Sequence, residues 1–182
     1  MTNYTAYLNG EWVPSDELKV DRRDRGFRTG DVVFDSPRTY GGVVFQKDRH
    51  VDRFLRSLKY ARIDPGLSRD EISGILDEVV DRNKHHLKEA GDFAVYIFAT
   101  RGPGRWAAEA GPPTVAAEAS PIDFYRFARW FDNGARGVIA KTRSYSNQSV
   151  DGKIKHQSRM NFNLAELEAA DVDADGWPIL LD

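Results

Sequence analysis

The sequence predicts an α+β fold in two parts, and three observations lead there. Two hairpin-like strand pairs at the start are followed directly by two helical stretches, 48–63 and 68–91, each with one apolar face. An apolar, aromatic-rich strand follows at 93–100. A separate strand–helix–strand order at 137–141, 160–170 and 179–181 opens a second part. Grouped strands and helices, instead of strict alternation, argue for α+β.

The elements follow in chain order. Strands at 4–8 and 11–13 flank Asn9-Gly10, a pair that tolerates positive φ at both positions and so favours a tight hairpin. Residues 24–30 are polar, hold two glycines and read as a loop. Strands at 32–38 and 43–46 flank Tyr40-Gly41-Gly42 as a second hairpin. In 48–63, Val51, Phe54, Leu55, Leu58 and Ala61 recur at three- and four-residue steps, and Asp64-Pro65-Gly66 ends the helix. Ser68 with Glu71 has the spacing of a capping box. Behind it Ile72, Ile75, Leu76, Val79 and Val80 form a buried stripe. The Gly- and Pro-bearing stretch 101–113 is a loop, 114–117 a strand, and the aromatic-basic stretch 120–133 a connection. In the helix at 160–170, Leu164 and Leu167 are expected to point inward. The expected organisation is an N-terminal α+β domain over 1–118, a connection over 119–133, and an incomplete second domain over 134–182.

Composition removes several function classes. At 41% hydrophobic and 12% aromatic residues the chain can build a core, so it is not read as disordered. The 26 basic and 28 acidic residues nearly cancel. That argues against nucleic acid as a partner, even for the stretch 124–143, where Arg126, Arg129, Arg136, Lys141 and Arg143 interleave with aromatics. No apolar run approaches the ~20 residues of a membrane span, and residues 1–10 lack the pattern of a signal peptide. Cysteine is absent, which excludes disulfides and thiolate metal sites and fits a cytoplasmic protein. His50, His85, His86 and His156 have no zinc-type spacing, so no metal is expected.

Four segments carry chemistry. They are Asn9-Gly10-Glu11, the run Asp24-Arg25-Gly26-Phe27-Arg28-Thr29-Gly30-Asp31-Val32-Val33-Phe34, His50-Val51-Asp52-Arg53-Phe54, and Ile154-Lys155 followed by Leu164-Ala165 and Glu168-Ala169. In this order and spacing the chain resembles the class IV pyridoxal-phosphate-dependent aminotransferases, the branched-chain and D-amino-acid aminotransferase-like family. The resemblance implies that family's two-domain fold, with the N-terminal domain whole and the C-terminal domain truncated. It places in the remainder of such a chain a Glu that pairs with the cofactor's pyridine nitrogen, together with phosphate-binding loops.

The resemblance also assigns residues. Lys155, nine residues before Leu164, stands at the Schiff-base lysine; without the resemblance it is one of several solvated lysines, and Lys153 shares its strand parity. Arg53 stands at the phosphate-binding arginine, a role its planar donors suit; otherwise it is a solvated helix arginine. His50 and Asp52 read as local support. Phe34 is either an aromatic wall of the substrate pocket or a core strand residue. Arg105 lies in the loop that carries a substrate-carboxylate arginine in D-amino-acid members, and is otherwise a solvated loop residue. Arg159 and Met160 stand where branched-chain members carry Asn and Tyr.

The expected function is transfer of an amino group from a branched-chain-like amino acid to a 2-oxo acid, with pyridoxal 5'-phosphate as cofactor, in a homodimer or larger assembly. The alternatives are an (R)-amine or D-amino acid transaminase, an aminodeoxychorismate-type lyase on the same fold, or a non-catalytic truncated domain that only dimerises.

Overall fold

A computed structural model describes residues 4–182, apart from the side chain of residue 126. Residues 1–3, and the Arg126 side chain named above, lie outside the described residues. The chain divides into two compact units: 1–122 with 154–158, and 123–153 with 159–182.

In the first unit, β1 (Thr5–Leu8) and β2 (Glu11–Pro14) form the expected hairpin, with Asn9 at φ 50°. The stretch 24–30 is not a loop: it holds a short helix, α1 (Arg25–Thr29). Asp24 caps it by accepting a 2.6 Å hydrogen bond from the Gly26 N–H. Next come β3 (Val32–Asp35), β4 (Thr39–Tyr40) and β5 (Val43–Val44). The second hairpin is only β4–β5, because β3 pairs instead with β6 (Phe93–Thr100). Ser36-Pro37 interrupts the longer strand expected there. Helices α2 (Lys47–Ala61), α3 (Arg69–Asn83) and the short α4 (Leu87–Ala90) follow β5, and β7 (Val115–Pro121) completes the unit. The capping box at Ser68 and Glu71 forms as read.

The main sheet runs β2-β1-β7-β6-β3, with each neighbouring pair antiparallel. Phe54, Leu58, Ile72, Leu76 and Val79 of α2 and α3 pack on one face against Val33, Phe93, Val95 and Ile97. The opposite face carries Val32, Phe98 and Ala116, with Phe34 and Tyr96 partly buried beside them. Asn83, fully buried at the end of α3, is fixed to β1: it accepts from the Thr5 N–H and donates to the Thr5 carbonyl, both at 2.8 Å.

The second unit contains α5 (Tyr125–Asn133), β8 (Gly137–Ile139), α6 (Met160–Val172) and β9 (Trp177–Ile179). β8 and β9 are parallel neighbours, as a strand–helix–strand crossover requires. The stretch read as a connection is therefore helical over 125–133. In α6 the inward face differs from the expectation: Ala165 and Ala169 are fully buried, whereas Leu164 and Leu167 are exposed. The alanines, four residues apart, let the helix approach its strands closely, and the leucines project from the other side of the same turns. Among the described residues no helix is long and apolar enough to cross a membrane.

Candidate functional site

Strand alternation on β3 sorts its side chains. Val33 and Asp35 face the helices, and Val32 and Phe34 face the other way. Asp35 is fully buried at the end of the strand. A buried carboxylate needs strong partners, and α2 supplies two. Arg53 grips it with Nε to Oδ2 at 2.7 Å and Nη2 to Oδ1 at 2.8 Å, and His50 Nδ1 lies 2.6 Å from Oδ1. Burial pushes the Asp35 carboxyl up, but the hydrogen bonds from Arg53 and His50 together outweigh it and leave the group more acidic than an ordinary aspartate. The bidentate grip fixes the Arg53 plane. Its Nη1 has no hydrogen-bond partner among the described residues, and the side chain is 39% exposed. A locked guanidinium with one donor pair directed elsewhere suits an anionic ligand.

Residues 154–158 extend the sheet beyond β3. The Phe34 N–H donates to the Lys155 carbonyl at 3.0 Å, and the Gln157 N–H donates to the Val32 carbonyl at 3.1 Å. Val33 and His156 face each other as an antiparallel bridge. Lys155 thus sits beside Phe34, on the face opposite the helices. Its Nζ lies 4.1 Å from the Phe34 ring centroid, a cation–π distance. The Lys155 N–H donates to the Ser57 hydroxyl at 3.2 Å. Ser57 stands one helical turn after Arg53 and donates to the Arg53 carbonyl at 2.9 Å. Lys153 belongs to the other unit and is exposed.

The wall next to Lys155 is aromatic. The Phe34 and Tyr96 ring centroids are 5.3 Å apart, and Tyr96 and Phe98 are 5.9 Å apart. Burial, with a smaller contribution from Glu118, pushes the Tyr96 phenol up to about 12 against the opposing hydrogen bond from Gln157. At neutral pH Tyr96 is therefore a neutral hydroxyl. Glu118, paired with Tyr96 in the strand register, has its carboxyl pushed up by burial.

The long motif at 24–34 holds this arrangement in place. Asp24 also accepts from the hydroxyls of Thr100 and Thr114 at 2.7 and 2.8 Å. Asp31 is paired with Arg25 and Arg101 at 3.3 and 2.6 Å. Arg101 donates as well to the carbonyls of Ala61 and Arg62, which end α2. Gly30 has φ 68°, and a Cβ there would lie 2.9 Å from Ser158 Oγ. That hydroxyl donates to the Gly30 carbonyl at 2.9 Å. A backbone this bare lets 154–158 close against the motif.

Of the four residues that the sequence singles out, Lys155 contacts Phe34 on one face of β3, and Arg53 contacts Asp35 on the other. Arg105 is not brought into that group. It is exposed, its guanidinium lies 5.6 Å from the Trp106 ring centroid, and its carbonyl accepts from Arg25 Nη1 at 3.1 Å. Arg159 sits at the start of α6, 3.9 Å over the Phe162 ring. Sequence reasoning misses Asp35, Ser57, Tyr96, Gln157 and Ser158. Asp35 carries a signal, a charge inside a strand of apolar residues next to a helix bearing His50 and Arg53. A serine on the buried stripe of α2 is the corresponding signal for Ser57.

Comparison with known proteins shows the family. The profile of the family described as "Amino-transferase class IV" matches residues 32–182. The chain belongs to the class IV aminotransferases. It is 30% identical over 166 residues to a putative branched-chain-amino-acid aminotransferase of Methanocaldococcus jannaschii, covering 90% of this chain and 54% of that protein. It is 40% identical over 96 residues to the D-alanine aminotransferase of Staphylococcus aureus, covering 53% of this chain and 32% of that protein. The chain therefore spans about half the length of the first relative, and its match to the second covers about a third of that protein. Among solved structures, the branched-chain aminotransferase from Thermoproteus uzoniensis with norvaline matches with a TM-score of 0.83 at 24% identity. That match covers 99% of this chain and 60% of the other. The branched-chain amino acid aminotransferase from Thermobaculum terrenum in its PLP form matches with a TM-score of 0.80 at 19% identity, covering 99% and 59%. At these identities the structural matches speak for the fold.

Proposed function

We propose that the protein to which this chain belongs is a cytoplasmic, homodimeric aminotransferase. It moves an amino group from a branched-chain-like amino acid to a 2-oxo acid, using pyridoxal 5'-phosphate carried on Lys155. The observation that supports this most strongly is that two consecutive residues of β3 contact the two groups, Phe34 the amine and Asp35 a locked guanidinium, on opposite faces of the strand. A phosphorylated aromatic aldehyde needs an amine for its carbonyl carbon, donors for its phosphate and a flat apolar wall. Lys155 Nζ, Arg53 Nη1 and the Phe34–Tyr96 pair are groups of these three kinds, so their chemistry fits the group.

When bound, the cofactor's pyridine ring draws electrons from the substrate's α-carbon. Lys155 Nζ would hold the cofactor covalently, and the same amine, when free, would be the base for the proton on the substrate's α-carbon. Arg53, its plane fixed by Asp35, would hold the phosphate end. Phe34 and Tyr96 exclude water from one side. Arg105, whose guanidinium makes no ion pair or hydrogen bond among the described residues, is the proposed partner for a substrate carboxylate.

Lys155→Ala is expected to abolish turnover by the full-length enzyme, with ping-pong kinetics in the wild type. Normal turnover by that variant would overturn the assignment. The stretch of 40% identity to a D-alanine aminotransferase favours a second reading, a transaminase of D-amino acids. Parallel assays with L-leucine, D-alanine and a chiral (R)-amine decide between the donors. An aminodeoxychorismate-type lyase would turn over without an oxo acid.

A further inference from the structure

We infer that Ser57 is a positioning residue that ties the lysine to the phosphate-binding turn, an inference that rests on the proposed roles of Lys155 and Arg53. Its hydroxyl is used twice. The hydrogen goes to the Arg53 carbonyl at 2.9 Å, and the oxygen receives the Lys155 N–H at 3.2 Å. The side chain is 1% exposed, so no water replaces either bond. Residues 154–158 run beside β3, bridged to it at Val33 and His156. The Lys155 carbonyl is spent on the Phe34 N–H, and the Lys155 N–H is spent on Ser57.

A serine hydroxyl that bonds back to the carbonyl four residues earlier has its rotamer and lone pairs fixed. The acceptor offered to Lys155 is therefore as rigid as the helix turn that carries Arg53. Only two hydrogen bonds separate the lysine backbone from the arginine backbone. Asp35, next to Phe34, closes the ring from the other side through the Arg53 guanidinium. A closed loop of short bonds thereby sets the spacing between the lysine and arginine backbones, and Ser57 is its uncharged link.

The test uses the full chain, with Ser57→Ala and the near-isosteric Ser57→Cys. Amide hydrogen exchange at Lys155 reads the bond directly. It should speed up about tenfold in Ser57→Ala, with the exchange of β6 amides unchanged. Retention of pyridoxal phosphate, scored as borohydride-trapped label on Lys155, should need about five- to tenfold more ligand, and Ser57→Cys should recover part of this. In an Arg53→Ala background the Ser57→Ala effect on retention should shrink, because the spacing no longer matters once the phosphate end is loose. An unchanged Lys155 exchange rate, or additive effects of the two substitutions, would overturn the inference. If Ser57→Ala does not fold, Ser57→Cys and the wild-type protection of the Lys155 amide decide; an unprotected amide overturns it. Absence of label on Lys155 in the wild type would instead defeat the reading on which the inference rests, and is distinguishable because the exchange measurement needs no cofactor.

Discussion

Gly30→Ala is the substitution through which the motif at 24–34 and the lysine segment can be probed together. Gly30 has φ 68°, and the added methyl would lie 2.9 Å from Ser158 Oγ and 3.6 Å from Ser158 Cβ. Holding an alanine in the left-handed region costs about 1–2 kcal/mol. The methyl also displaces the Ser158 hydroxyl from the Gly30 carbonyl, which loses about 1 kcal/mol. Together these predict a loss of about 2–3 kcal/mol, measured as the change in unfolding free energy in urea. Ser158→Ala alone should lose about 1 kcal/mol. The double variant should be no worse than Gly30→Ala alone, because the hydrogen bond is lost only once and the remaining Cβ contact is an ordinary one. A Gly30→Ala change under about 0.5 kcal/mol, or strict additivity in the double variant, would refute the claim that 154–158 closes on the motif through Gly30.

Three further outcomes follow from the same contacts. Arg101→Ala removes the Asp31 ion pair and the donors that satisfy the carbonyls ending α2; a loss of about 2–3 kcal/mol is expected in urea unfolding. Asp35 is more acidic folded than unfolded, so its contribution is full above the ordinary carboxylate value of about 4 and is lost as pH falls through the folded value. Asp35→Asn should be less stable than wild type at pH 7, with the gap narrowing in unfolding curves below about pH 4. Glu118 has the opposite sign: burial raises its carboxyl, so stability falls as pH rises from the ordinary value through the raised one. Glu118→Gln should therefore stabilise the chain at about pH 7 and have little effect in acid.

Local chemistry makes much of the fold visible in the sequence. Asn9-Gly10 sets the first hairpin, Ser68 with Glu71 starts α3, and the apolar stripe of α2 points to the buried Val51, Phe54 and Leu58. Long-range competition defeats the other readings. The sequence suggests that β3 pairs with the strand that follows it, yet its partner is β6, about sixty residues on, since the interrupted 36–38 stretch cannot continue the hairpin. The helix α1 is hidden because its cap, Asp24, is satisfied mainly by Thr100 and Thr114, which are remote in sequence. The leucines of α6 suggest its inward face, although close packing selects the alanines. At the site, Lys155 and Arg53 are visible only through the resemblance. Parity does not separate Lys155 from Lys153, whereas the pairing of 154–158 with β3 does. Ser57 cannot be assigned from periodicity, which marks a position as buried but does not say what its hydroxyl meets.

The most direct test of the central claim is borohydride reduction of the chain in the presence of pyridoxal phosphate, followed by peptide mapping. The arrangement around Phe34 and Asp35 predicts a single phosphopyridoxyl label on Lys155, lost in Lys155→Ala and weakened in Arg53→Ala. Label on Lys153 or spread over surface lysines, with Lys155 unmodified, would contradict it.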